Sequence, residues 1–111
     1  MKLQKYLLLT CALGITGIAL AQDASVTISS PADGAKVGTS AVKVAYSVVT
    51  GPKGDHVHFY VDDQEAAVLR QLKGTYTVDS LKAGTHTLCI RIVDKSHTPI
   101  GVEKCIKVTA G

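Results

Sequence analysis

From Ser25 onward, apolar residues recur at every second position in short runs, and residues that favour turns separate the runs. Extended backbone sends successive side chains to opposite faces, so this alternation predicts strands. Ser25-Val26-Thr27-Ile28-Ser29 is the first run, closed by Ser30-Pro31-Ala32-Asp33-Gly34. The second spans Ala41 to Val49, with Val42, Val44, Tyr46 and Val48 on one face, and Gly51-Pro52-Lys53-Gly54-Asp55 ends it. The third is His56-Val57-His58-Phe59-Tyr60-Val61-Asp62, with Val57, Phe59 and Val61 on the apolar face and His56, His58 and Tyr60 on the other. A turn is expected over Asp62-Asp63-Gln64-Glu65. Ala66 to Leu72 reads either as a short edge strand or as one turn of helix. Thr75 to Val78 is a further strand, followed by a corner over Asp79 to Gly84.

The last two runs predict a hairpin. Thr85 to Asp94 carries Leu88, Ile90 and Ile92 on one face, and Val102 to Thr109 carries Ile106 and Val108. Cys89 and Cys105 fall on the opposite faces of these strands. Pairing them centres the hairpin on His97, inside Lys95-Ser96-His97-Thr98-Pro99, so the bridge and the turn predict one register. Six or seven strands at this spacing in about 90 residues predict one all-β domain, a two-sheet sandwich.

The N-terminus follows a different pattern. Lys2 and Lys5 precede an uncharged apolar run from Tyr6 to Ile18, and Ala19-Leu20-Ala21 places small residues where a signal peptidase reads them. Residues 1–21 are therefore expected to be a secretory signal and 22–111 the mature domain, periplasmic or secreted. Cys11 lies in the middle of the apolar run after Thr10, a poor setting for lipidation. Removing the signal leaves Cys89 and Cys105, an even count that in an exported chain reads as a disulfide. The bridge closes a loop of about 17 residues and contributes on the order of 3 kcal/mol by chain entropy. Of 12 basic residues, Lys2 and Lys5 leave with the signal, so 10 oppose 9 acidic ones, a net charge of +1. That field is too weak to draw in nucleic acid, and no tryptophan and a single phenylalanine argue against a base-stacking platform.

Ser30-Pro31-Ala32-Asp33-Gly34-Ala35-Lys36-Val37, with the strand after it, resembles the opening of bacterial immunoglobulin-like domains. Leu81 to Leu88 is similar to the corner before their penultimate strand, with His86 where tyrosine is frequent. Three further elements occur in order: His56-Val57-His58-Phe59-Tyr60-Val61-Asp62, Gly84-Thr85-His86, and Asp94-Lys95-Ser96-His97-Thr98-Pro99. They resemble short secreted bacterial domains of uncharacterised function. Both resemblances imply an exported immunoglobulin-like β-sandwich and no particular activity. Gly54 to Phe59 is also similar to the copper-binding strand of copper-zinc superoxide dismutase. That fold's zinc loop, bridging histidine and arginine find no counterpart here.

The chemistry on offer is histidine. All four histidines fall at three places in the chain, and His56 and His58 share one strand face with Cβ atoms about 6.5–7 Å apart, close enough for both rings to close on one ion. Neutral imidazole suits copper(II) or zinc. His97, His86 or Asp62 would complete such a site. In an immunoglobulin-like sandwich His56 and His58 are expected to point outward and His86 inward, which makes His97 the easier third ligand. Each histidine also has a plain reading: exposed strand residues for His56 and His58, a solvated loop residue for His97, a corner hydrogen bond to backbone for His86. No Gly-x-Ser-x-Gly elbow, free cysteine or phosphate-cradling loop is present in the expected mature chain. Two readings stand level, a module binding copper or zinc and an interaction module contacting another envelope or secreted protein. A dismutase-type enzyme is a distant third.

Overall fold

A computed structural model describes residues 23–111; the expected signal peptide and its boundary lie outside them. The strands are β1 (Ser25–Ser30), β2 (Ala35–Val37), β3 (Val42–Val49), β4 (His56–Val61), β5 (Gln64–Leu69), β6 (Lys73–Val78), β7 (Gly84–Val93) and β8 (Pro99–Ala110). They form a three-stranded sheet in the order β1-β3-β6 and a five-stranded sheet in the order β2-β8-β7-β4-β5. Among the described residues the sandwich therefore has eight strands rather than six or seven. The addition is β2, whose three residues are too short to show alternation and which pairs parallel with the end of β8, Ala35 opposite Val108. Among the described residues no helix is long and apolar enough to cross a membrane.

The alternation predicts the core correctly. Val42, Val44, Tyr46 and Val48 of β3 meet Val57 and Phe59 of β4, Leu88, Ile90 and Ile92 of β7, and Ile106 and Val108 of β8. Burial of these side chains, each worth about 1.5–3 kcal/mol when complete, holds the two sheets face to face. The Tyr46 hydroxyl, the polar atom of this layer, donates to the Gln71 carbonyl at 2.9 Å.

Two turns determine what lies beside the histidines. The β4–β5 connection is only Asp62-Asp63, with φ of 51° and 65°, the paired left-handed conformation that matches strand twist in a two-residue hairpin. The turn is shorter than the four residues expected. It lets β5 begin at Gln64, and of the two readings of Ala66–Leu72 the edge strand holds, displaced toward the N-terminus, and not the helical turn. The β7–β8 hairpin keeps the expected register from Gly84 opposite Ala110 to Arg91 opposite Glu103. The Cys89–Cys105 disulfide joins these neighbouring strands. Register then shifts between Arg91 and Val93, where the hairpin approaches its tip.

Candidate metal centre

β4 serves both sides of its sheet. Val57 and Phe59 go into the core, and His56 and His58 stand on the outer face opposite Val93 and Arg91 of β7. An outer-face histidine is expected to be exposed, yet His56 and His58 retain only 1% and 4% of their accessible surface. The cover comes from the hairpin tip. The ring of His97 stands with its centroid 4.7 Å from that of His56 and 5.1 Å from that of His58.

The tip is built to hold that ring. The His97 amide donates to the Asp94 carbonyl at 2.9 Å, and the Asp94 amide to the Thr98 carbonyl at 2.9 Å. One Asp94 carboxylate oxygen accepts from the amides of Ser96 and Thr98, at 2.8 and 3.0 Å. His97 itself has a φ of 66°, a conformation that costs a residue with a Cβ roughly 1–2 kcal/mol. On the other side, Gly54 lets the preceding loop lie tight against β7. A Cβ there would meet the Thr50 carbonyl at 2.4 Å and the Ile92 side chain at 2.5 Å.

Three ring nitrogens converge. His56 Nε2 and His58 Nε2 are 3.2 Å apart, His56 Nε2 and His97 Nδ1 3.2 Å, and His58 Nε2 and His97 Nδ1 2.9 Å. The opposite ring edges decide where the protons are. His56 Nδ1 donates to Asp55 Oδ2 at 2.8 Å, and His58 Nδ1 faces Glu65 Oε1 at 3.0 Å. A carboxylate only accepts, so each Nδ1 carries the hydrogen, and in the neutral ring each Nε2 presents a lone pair. Two lone pairs thus face each other at 3.2 Å in a buried place. One proton on His97 Nδ1 can be shared between them at best, and the direct contact between the two acceptors is left uncompensated.

Burial is the main influence on His58 and lowers its pKa, which keeps the ring neutral. The hydrogen bond from His56 is the main influence on Asp55 and lowers its pKa, with Lys95 and Arg70 adding their charges. Neutral imidazoles backed by carboxylates are the usual arrangement of histidine ligands. Nitrogens about 2.0–2.1 Å from one ion stand about 3.3 Å apart in a tetrahedron and about 2.9 Å apart at right angles. The observed edges of 2.9–3.2 Å lie within that span.

His86 is not part of this group. It lies seven residues before Val93 on β7, at the other end of the strand. Its Nδ1 bonds Asp62 Oδ2 and its Nε2 donates to the Lys82 carbonyl at 2.7 Å. With an acceptor at each nitrogen the ring is held as imidazolium. The hydrogen bond to Asp62 is the larger cause of its raised pKa, and the same bond lowers that of Asp62. Asp62 also accepts from the Thr87 amide at 2.8 Å, so it too is committed to the corner and not to the metal group.

Asp55 carried a readable signal, an acid next to His56. Glu65 carried none. It reaches His58 because β4 and β5 shift register between Phe59 and Tyr60, placing Glu65 opposite Tyr60 where regular pairing would offer Ala66. Among the described residues the other cluster of potential metal ligands is Cys89, Cys105 and Glu103, and its two sulfurs are bonded to each other.

The fold and the placement of strands define an immunoglobulin-like β-sandwich. The chain belongs to the bacterial Ig domain family, whose pattern matches residues 25–90, more than half of its length. Among solved structures it is similar to the fibronectin(III)-like modules of Clostridium thermocellum CbhA, at 17% identity, covering 77% of this chain and 94% of that one, with a TM-score of 0.61. It is also similar to an engineered protein at 23% identity and a TM-score of 0.56, covering 80% of this chain and 20% of that one. An FMN-binding β-glucuronidase of Facaelibacterium prausnitzii L2-6 resembles it at 17% identity and a TM-score of 0.57, covering 81% of this chain and 12% of that one. No curated protein matches the sequence. These likenesses concern the sandwich. They do not bear on the His-x-His motif or the dismutase-like strand, and the family match ends before His97.

Proposed function

We propose that this domain is an exported binding module that takes one copper(II) or zinc(II) ion on His56 Nε2, His58 Nε2 and His97 Nδ1, for metal carriage or sequestration. The observation that carries the reading is the pair of carboxylate-fixed imidazoles whose lone pairs face each other at 3.2 Å, with a third ring nitrogen completing the triangle. A cation at its centre turns the two facing acceptors, with the His97 nitrogen beside them, into three ligands. The disulfide and the bacterial Ig fold are compatible with work outside the cytoplasm.

Isothermal titration of the purified domain with copper(II) and with zinc(II) tests this, beside His97→Ala and a His56→Ala/His58→Ala double variant. One ion per chain, lost in the double variant and weakened in His97→Ala, is the expected result. Absence of binding, or binding that survives both sets of substitutions, refutes it. A second reading then takes its place, a protein-contact module. It is favoured by the open edge strand β5, which carries the exposed Val68 and is followed by the exposed Leu72.

A further inference from the structure

The three nitrogens lie on one side of any ion they hold. A triangle with edges of 2.9–3.2 Å places an ion at bonding distance about 1 Å out of the nitrogen plane, leaving its far side unserved. Copper(II) and zinc take four ligands or more. Among the described residues no other histidine, cysteine, aspartate or glutamate donor comes within 4.8 Å of all three nitrogens. The two nearby carboxylates are turned away. Asp55 is engaged by His56 Nδ1, and Glu65 faces His58 Nδ1. Asp94 is occupied by the amides of its own loop.

The surrounding charge indicates what the free position would accept. A divalent ion balances Asp55 and Glu65. Arg70, with its guanidinium 3.7 Å from Asp55 Oδ2 and two-thirds exposed, and Lys95, whose charge also acts on Asp55, then exceed the single charge of Asp94 and leave a rim with one net positive charge. Such a rim favours an anion over a neutral donor.

We propose that the ion bound by the three histidines keeps one coordination position open and binds an exogenous carboxylate there, so that the domain captures a small organic acid, or an acidic side chain of another protein, through the metal. This rests on the metal reading above. The domain would then act as an adaptor between ion and acid, with Arg70 and Lys95 selecting the charge.

The test uses the oxidised protein loaded with cobalt(II), whose visible bands report the ligand set. Acetate and a blocked acidic tripeptide are titrated in, against chloride at matched ionic strength, and metal content is measured after gel filtration. A saturable band shift with the cobalt retained supports the proposal. A response to acetate alone identifies a free small acid, and a response to both extends the position to side chains of other proteins. Arg70→Ala and Lys95→Ala are each expected to weaken acetate about two- to threefold, read at saturating cobalt so that any change in metal affinity is kept apart from it. Cobalt bands that form but do not respond to either carboxylate overturn this inference and leave the metal site standing. If no cobalt bands form, and copper(II) and zinc(II) are not retained after gel filtration either, both readings fall.

Discussion

The two ends of the β4–β7 pair each join histidine to carboxylate, with opposite results. At the corner, His86 has an acceptor at both nitrogens, Asp62 on one side and the Lys82 carbonyl on the other. Nothing is left over, and the ring works as a clamp between the end of β4 and the start of β7. At the hairpin tip, Asp55 and Glu65 take the Nδ1 atoms of His56 and His58, and the Nε2 atoms are left facing each other and His97. The same residue types give a closed hydrogen-bond set in one place and a donor-deficient one in the other. What separates a structural histidine from a candidate ligand is therefore the account of its second nitrogen, rather than its burial or its acidic neighbour.

Substitutions can break this contrast. The largest effect is expected at the tip, where His58→Ala should lower metal affinity by well over about 100-fold in a calorimetric titration, more than the loss of a supporting carboxylate costs. His86→Ala should leave that affinity unchanged. Removing the support alone, by Glu65→Ala, should weaken binding about 10- to 100-fold with little change in metal-free melting. Gly54→Ala should disturb the loop that carries Asp55. Overpacking of this kind costs about 1–3 kcal/mol, and thermal unfolding should show a melting temperature lower by roughly 4–8 °C for each kcal/mol.

The smallest effect belongs to the corner and is read by pH. His86 has a raised pKa in the fold, so its contribution is complete below the unfolded histidine value and fades as pH rises through the folded one. Asp62 has a lowered pKa, so its contribution is complete above the unfolded aspartate value and fades as pH falls through the folded one. The melting-temperature difference between the parent and His86→Ala, with chelator present, should be greatest from about pH 4 to 6.5 and shrink on the alkaline side. A difference that stays flat into the alkaline range would show that the clamp is not an ion pair.

Much of this was legible in the chain. Alternation gives the core faces of β3, β4, β7 and β8, because a buried sheet face requires apolar residues at a period of two. The Cys89–Cys105 pairing and the loop around His97 indicate one register, and the hairpin adopts it. The pairing of His56 with His58 on one face follows from the same period. Three things were beyond reach. Burial of the two histidines depends on where a loop tip folds back. The contact with Glu65 depends on a register shift that no residue pattern announces. The commitment of His86 to Asp62 depends on a turn two residues shorter than its acidic run suggests.

The left-handed backbone at His97 sets function against stability. Glycine adopts that conformation without the penalty a Cβ brings. His97→Gly should therefore relax the hairpin tip, raising the metal-free melting temperature by an amount worth up to about 1 kcal/mol, while removing one of the three proposed ligands. A more stable but weaker-binding variant, found by pairing a melting curve with a metal titration, would mark this residue as one kept for its ring at the expense of its backbone. A selection for thermal resistance alone would then tend to erase the site, and a selection for metal retention would keep the strained tip in place.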